Sequence, residues 1–343
     1  MNNIKESLWK KVSSDLKDKI ERGRFDRKKF PTLREICLMY EVSEITARRA
    51  AAELAGLGLI KKSTKTGSSI IKANDTVKEI FLLDQSGCIK QSIIYSQISQ
   101  GIIEEAAKRN IAIKTVSVDF ILNSLDSMEE LNLIASGNEE NLSEKLEQRD
   151  PAKHRIVKYH SVSKDKNFST IRSDLKTAAT LAMKHLIEKG HRRIGFITGK
   201  GGLWFASRFE AYTKTLSDTG IGPDPDLIKG VEKGNYYETE AAMKSLMDLK
   251  NPPTAVFAAT DIHAMNILTF CKKNGIKVPE KLSVCGFDNL PESEFYSPPL
   301  TTVDTNWKKQ GAEAVKLFQN EDFLNGKIID IKIKPELVIR KSS

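Results

Sequence analysis

Residues 42 to 60 read VSEITARRAAAELAGLGLI, a stretch whose polar groups fall at a spacing that could do recognition chemistry. In helical periodicity Ala47, Ala50, Leu54 and Leu57 recur at intervals of three, four and three, which predicts one buried stripe. Glu44, Thr46, Arg48 and Arg49 are then left on the outward face, near the helix N-terminus. Guanidinium, hydroxyl and carboxylate groups on one exposed turn suit hydrogen bonding to base edges and phosphates. A solvated helix face carries the same residue types, so the surrounding elements must decide between the two readings. A second set follows apolar runs: Asp84 and Gln85 after FLL, Gly199 to Trp204 after GFIT, Thr260 and Asp261 after VFAA, Asp288 and Asn289 after VCGF. Polar and aromatic groups that converge at strand ends offer a small polar ligand hydrogen bonds and flat apolar faces.

The chain around these groups has 343 residues, 40% hydrophobic and 29% charged, which suits a soluble protein of two or three domains. Its start, MNNIKESLWKKVSSDLKDKI, lacks the apolar core of a signal peptide, and no apolar run approaches ~18 residues. A cytoplasmic location with no membrane partner is expected. Cys37, Cys88, Cys271 and Cys285 are widely spaced, with no C-x-x-C pair and no histidine cluster, so they read as reduced thiols and no metal or cofactor is expected. Of the net charge of +9, residues 1 to 72 hold +8, from 17 Lys/Arg against 9 Asp/Glu. A basic module on a near-neutral body suggests a polyanion-binding headpiece.

Residues 7 to 22 place Leu8, Val12, Leu16 and Ile20 four apart, which predicts an amphipathic helix ending near Gly23. Pro31 and Thr32 start a second helix with Leu33, Ile36, Cys37 and Tyr40 on one face. Glu41 and Val42 form a connector, and Ser43 can cap the third helix by accepting a backbone N–H. Gly56 and Gly58 stop that helix, and two β-rich runs follow, Leu59 to Lys62 and Ser68 to Lys72, joined by a Lys-Thr-Gly turn. Three helices and a basic hairpin make a winged helix. The stretches PTLREI, SEITARRA and GLIKKSTKTG resemble the GntR-type winged helix-turn-helix. That resemblance implies that Arg34, Thr46 and Arg48 meet bases or phosphates of double-stranded DNA, and that Gly67 lets the wing tip approach the minor groove. Glu44 stands where that family usually carries arginine; a carboxylate can accept from a cytosine amino group, which implies a different operator.

The polar stretch KANDTV marks a linker, so the expected division is a DNA-binding domain over 1–72, a linker over 73–77 and a larger unit over 78–343. In the larger unit strand-length apolar runs alternate with helical segments, which predicts an α/β fold of two Rossmann-like parallel-sheet lobes about a cleft. SDLKTAATLAMKHLIEKGHRRIGFITG, SRFEAY, PPTAVFAATDIHAMNIL, GIKVPEKLSVCGFDN, SPPLTTVD and IKPELVIRKSS resemble the sensor domain of LacI/GalR-type repressors, which is related to periplasmic sugar-binding proteins. The resemblance implies a homodimer whose lobes close on a small effector, usually a sugar. It also implies that Arg208 donates in fork geometry to ligand hydroxyls or a carboxylate and that Asp288 accepts from hydroxyls. Tyr236 falls where that family places a stacking aromatic, Trp204 and Tyr95 are further cleft candidates, and Thr260 occupies a position where some members use a sugar-binding asparagine. Residues 119 to 170 match least, lacking the usual apolar strand; the resemblance implies a ligand contact near Tyr159 or His160, and His160 fits a surface or satisfied histidine as well as a ligand contact.

Joined in one chain, the two parts resemble the repressors of arabinose operons. The expected function is therefore transcriptional repression of carbohydrate-utilisation genes under allosteric control by a sugar-like effector, without catalysis. A carbohydrate-binding protein or an enzyme with no DNA-binding role is the alternative. For the enzyme, RIGFITGKGG is neither G-x-x-x-x-G-K-[ST] nor G-x-G-x-x-G, and no H-E-x-x-H occurs.

Overall fold

The computed structural model describes residues 8–21, 24–25, 30–61, 69–70, 77–84, 93–136, 140–161, 165–199, 203–231 and 235–343. The Lys65-Thr66-Gly67 turn, residues 73–76 of the expected linker, Gln85 and Cys88 lie outside them.

Helices α1 (Leu8–Glu21), α2 (Leu33–Tyr40) and α3 (Glu44–Gly56) precede an antiparallel hairpin of β1 (Ile60–Lys61) and β2 (Ser69–Ile70), with Ile60 opposite Ile70. Each boundary has a local cause. Thr32 starts α2 through a capping box in which the Glu35 carboxylate accepts from the Thr32 N–H at 2.6 Å. Glu41, at φ 50°, ends that helix in the left-handed region, and the Ser43 hydroxyl accepts from the Thr46 N–H to start α3. Val12, Leu16 and Ile20 of α1 share one core with Ile36, Ala47, Ala50, Leu54 and Ile60. The spacing also predicts Leu8 and Leu57 in that core, but they are 57% and 46% exposed. Leu8 is the first residue of α1 and Leu57 the one after α3 has ended, so both stand at helix ends rather than within the packed turns; Ala51 is buried instead.

Beyond residue 77 the chain builds two parallel sheets. The first contains β3 (Glu79–Leu83), β4 (Ala112–Val116), β5 (Leu131–Ser136), β6 (His154–Tyr159), β7 (Ser169–Ser173) and β13 (Asp330–Ile333), in the order β13-β7-β6-β5-β3-β4. The second contains β8 (Ile194–Gly199), β9 (Ile228–Val231), β10 (Ala255–Ala258) and β11 (Ser283–Cys285), in the order β11-β10-β8-β9. Each sheet has an apolar cluster on both faces, which is why the strands read as continuous apolar runs. The stretch expected to lack a strand in fact supplies β5, LNLIAS, in which every residue but Asn132 is buried. Its six residues are bracketed by acidic segments, which hides it from a reading of hydropathy.

Among the described residues the chain crosses between the lobes three times. Asp174 separates β7 from α7 (Leu175–Glu188), Thr305 and Asn306 separate β12 (Thr302–Asp304) from α12 (Trp307–Leu317), and Lys334 and Pro335 separate β13 from β14 (Glu336–Val338). The crossings are tied to one another: the Ser173 hydroxyl donates to the Thr305 carbonyl at 2.8 Å, Asn306 Nδ2 donates to the Lys334 carbonyl at 3.1 Å, and Lys332 pairs with Asp174 at 2.5 Å. Three adjacent crossings of this kind form a hinge about which two lobes can close.

On the first lobe, α4 (Ile93–Lys108) packs on α12 backbone to backbone. A Cβ on Gly101 would lie 1.9 Å from the Lys308 carbonyl oxygen, and one on Gly311 would lie 2.0 Å from that of Ile98. This close approach sets Tyr95 and Trp307, each near the start of its helix, at a fixed separation. No described helix is long and apolar enough to cross a membrane.

Candidate functional site

On the headpiece α3 exposes Glu44, Ile45, Arg48 and Arg49, with Ile45 80% exposed. Glu44 Oε1 and Arg48 Nη2, one turn apart, pair at 2.5 Å with side chains 64% and 67% exposed. An exposed pair of this type is worth about 0.3–0.5 kcal/mol, so it can be surrendered to a partner. Arg49 turns the other way, with its guanidinium 5.2 Å from the centre of the Trp9 ring on α1. Thr46 is partly buried, its hydroxyl 3.0 Å from that of the Ser43 cap, and Arg34 is exposed on the first turn of α2. Ile45 is at least as exposed as Glu44 and Arg48 beside it, although its apolar side chain gives no sign of an outward position in the sequence.

The second cluster lies between the lobes. His160, one residue past β6 and held at φ 51°, stacks on Trp204 of α8 (Leu203–Asp218), with ring centroids 4.0 Å apart and planes 17° from parallel. Tyr95 and Trp307 meet the same imidazole edge-on, at 5.3 and 5.0 Å. Rings from both lobes thus meet, in the edge and stacked geometries that aromatic quadrupoles favour. Burial, with the Arg208 charge, lowers His160 to about 3, so near neutral pH it is uncharged, and its buried Nδ1 has no hydrogen-bond partner among the described residues.

One turn along α8 from Trp204, Arg208 is only 4% exposed. Its guanidinium lies 4.0 Å from the centre of the Phe287 ring, its Nη2 donates to Asp288 Oδ1 at 3.4 Å, and its Nε has no partner among the described residues. Asp288 sits at φ 118°, a strained backbone for a side chain with a Cβ. Burial pushes its carboxyl up to about 8, against the pull of Arg208, and lowers the Arg208 pKa. A buried arginine beside a carboxyl group, with unused donor capacity and flat rings next to it, can hold the hydroxyls and apolar faces of a small polar ligand.

Other residues at the strand ends have internal tasks. Thr260 caps α10 (Asp261–Lys273), accepting from the His263 N–H at 3.2 Å. Asp261 is fully buried, accepts from the Thr302 hydroxyl at 2.5 Å and the Leu290 N–H at 2.8 Å, and is raised by burial to about 6. Asn289 bridges Arg340 and Asp304, and these three, with Gln97, Gln100 and Trp307, line an interlobe cavity of about 330 Å³. Tyr236, at the start of α9 (Tyr236–Met247), stands apart from the ring cluster, its ring under the Lys273 ammonium at 4.2 Å. The structure therefore gathers Tyr95, Trp204, Arg208 and Asp288, leaves Thr260 as a cap and Tyr236 aside, and adds His160 and Trp307. The strand-end rule selects His160 once RIVKY is recognised as a strand; Trp307 begins a helix beyond a crossing and follows no such rule.

Residues 183–343 match the family model described as periplasmic binding protein-like domain, a span that takes in the second sheet, α12 and β13. The HTH-type transcriptional repressor CytR of Escherichia coli (strain K12) is 39% identical over 155 residues, 44% of this chain and 45% of that protein. The HTH-type transcriptional repressor PurR of Pasteurella multocida (strain Pm70) is 36% identical over 167 residues, 47% of this chain and 49% of that protein. The chain spans about half the length of the curated relatives it matches. The crystal structure of a LacI family transcriptional regulator from Enterococcus faecium with bound ribose shares the fold, with a TM-score of 0.62 over 78% of this chain and 98% of that one at 19% identity. Residues 183–343 are thus similar to a periplasmic binding protein-like domain, and about half of the chain is similar to HTH-type transcriptional repressors.

Proposed function

We propose that this protein is a cytoplasmic, homodimeric transcriptional repressor of carbohydrate-utilisation genes, and that a sugar-like effector between its lobes controls its hold on operator DNA. Residues 1–72 are the DNA-binding domain in this reading, 73–77 the linker and 78–343 the effector-binding and dimerisation unit. One observation carries it: a basic three-helix module with a hairpin stands on a hinged pair of lobes that bury Arg208 and Asp288 where they meet. The antiparallel β1–β2 hairpin directly after α3 supports a GntR-type winged helix for that module. The names of CytR and PurR support repression rather than catalysis, and the ribose in the Enterococcus faecium regulator supports a sugar.

In this mechanism α3 enters the major groove by its N-terminal end. Arg34, Thr46 and Arg48 meet bases or phosphates, Gly67 brings the wing tip to the minor groove, and Glu44 chooses between holding Arg48 and accepting from a cytosine amino group. Ile45 meets a thymine methyl, while Arg49 braces α3 on α1 near the backbone. In the cleft Arg208 donates to, and Asp288 accepts from, the effector's hydroxyls while Trp204, Tyr95 and His160 cover its flat faces. Gln85, Thr260 and Tyr236 are further effector contacts in this reading. An effector entering beside Trp204 parts the stack with His160, the hinge moves, and the spacing of the two headpieces changes.

The test is selection from a random double-stranded DNA library, followed by titration of the recovered duplex at rising salt with and without pentoses, hexoses and uronic acids. The expected result is a pseudo-palindromic site, affinity falling linearly in log–log form with salt, and a shift in affinity with one sugar class. Failure to enrich any duplex removes the DNA-binding role and leaves a carbohydrate-binding protein.

A further inference from the structure

The strand that ends one residue before His160 begins at another histidine, which lines a cavity of its own. His154 is 8% exposed, and neither Nδ1 nor Nε2 has a hydrogen-bond partner among the described residues. An imidazole carries one N–H donor and one acceptor in either neutral tautomer, so a buried ring with both nitrogens unsatisfied has an N–H free to donate to an occupant's acceptor oxygen and a second nitrogen left for water. The ring faces a cavity of about 220 Å³, open to solvent on one side. That volume holds roughly seven waters at ~30 Å³ each, or one small organic molecule.

The lining has two characters. Ile156, Phe168 and Phe323, all buried, make an apolar floor. Arg149, Lys166 and Lys327 line the mouth against the single carboxylate of Glu147. Asp126 and Asp322, which pair with Arg149 and Lys327, are themselves 92% and 65% exposed and stand outside the lining. Exposed pairs of this kind hold their cations weakly. Gly326, at φ 88°, brings its turn so close to the 151–152 turn that a Cβ would lie 3.1 Å from the Ala152 nitrogen, which fixes the mouth in shape.

We propose that this cavity is an auxiliary binding site for a small monocarboxylate with an apolar body, its carboxylate between Lys166 and His154 and its body on Ile156, Phe168 and Phe323. His154 opens β6 and His160 follows its last residue, so the two stand at opposite ends of the strand, roughly 17–20 Å apart, and the site is separate from the cleft. It stands whether or not the chain binds DNA.

Benzoate is the probe, titrated calorimetrically into the full chain. Saturable binding is expected, weakened about tenfold or more in His154→Phe and several-fold in Lys166→Ala, an exposed position where folding is not at risk. Inorganic phosphate, an anion without an apolar body, should bind about tenfold more weakly than benzoate, and Asp288→Asn in the cleft should leave benzoate affinity unchanged. The proposal is overturned if benzoate gives no saturable heat, which means a cavity holding water only. It is equally overturned if both His154→Phe and Lys166→Ala retain full affinity, if phosphate matches benzoate, or if Asp288→Asn abolishes binding.

Discussion

Two arginine–carboxylate pairs stand at the two candidate binding surfaces, and they are built oppositely. Arg48 and Glu44 pair closely at 2.5 Å but lie mostly in water; Arg208 and Asp288 are 3.4 Å apart and almost wholly excluded from it. Water makes the first pair cheap to break, so its groups remain free to exchange one partner for another. Its absence makes the second pair dependent on mutual support, because a buried charge without a partner is strongly destabilising. A surface that must let go of its partner uses the first design, and a cleft that must recognise one small molecule uses the second.

The largest effect should come from removing one side of the buried pair. Asp288→Ala, unfolded in urea at pH 6 where the wild-type carboxyl still contributes, should lose about 3 kcal/mol because buried Arg208 keeps its charge and loses its acceptor. A loss below about 1 kcal/mol would erase the contrast between the pairs. Arg48→Ala should cost about 1–3 kcal/mol in operator affinity, relax selection at one base position and leave urea stability unchanged. Loss of affinity that is uniform over all duplexes would instead assign Arg48 to the phosphates.

The pH dependence separates the pairs further. Asp288 is raised from 3.8 to about 8, so the stability it contributes is fully present below 3.8 and is lost as pH rises through 8. His160, lowered from 6.5 to about 3, runs the other way: its contribution is present above 6.5 and is lost as pH falls through 3. Between pH 6.5 and 8 Asp288 titrates alone of the two, and effector-free protein should lose up to about 2 kcal/mol across that window. Asp288→Asn should flatten the slope; a slope of equal size in that variant would mean that another group produces it. The smallest effect belongs to Glu44→Gln, which should change stability by no more than about 0.5 kcal/mol and yet alter the preferred base at one operator position, read by duplex selection.

Much of this was legible in the sequence where local chemistry decides. The Thr32 and Ser43 caps, the Ile36 and Leu54 core positions and the continuous apolar strand β10 follow from residue type and spacing alone. Leu57 escaped because periodicity continues past the point where the helix stops. Arg49 and Glu44 escaped for another reason: helical spacing gives a face but not the rotamer that turns a guanidinium onto Trp9 or a carboxylate onto Arg48. In the cleft, Arg208 and Asp288 could be named from the sequence, whereas the meeting of His160, Trp204 and Trp307 arises from three segments far apart in the chain. Tyr236 was placed with those rings by resemblance, and its position under Lys273 depends on the packing of α9 on α10.

The central claim is that one protein couples the two surfaces, and reciprocal titration tests it most directly. The selected duplex is bound with and without a saturating sugar effector, and the sugar is bound with and without saturating duplex, at one salt concentration. Linkage requires both ratios of affinity to be the same factor, in the range of roughly 5 to 150-fold for a typical allosteric coupling. Sugar affinity that is identical in the free protein and on the operator would contradict the account.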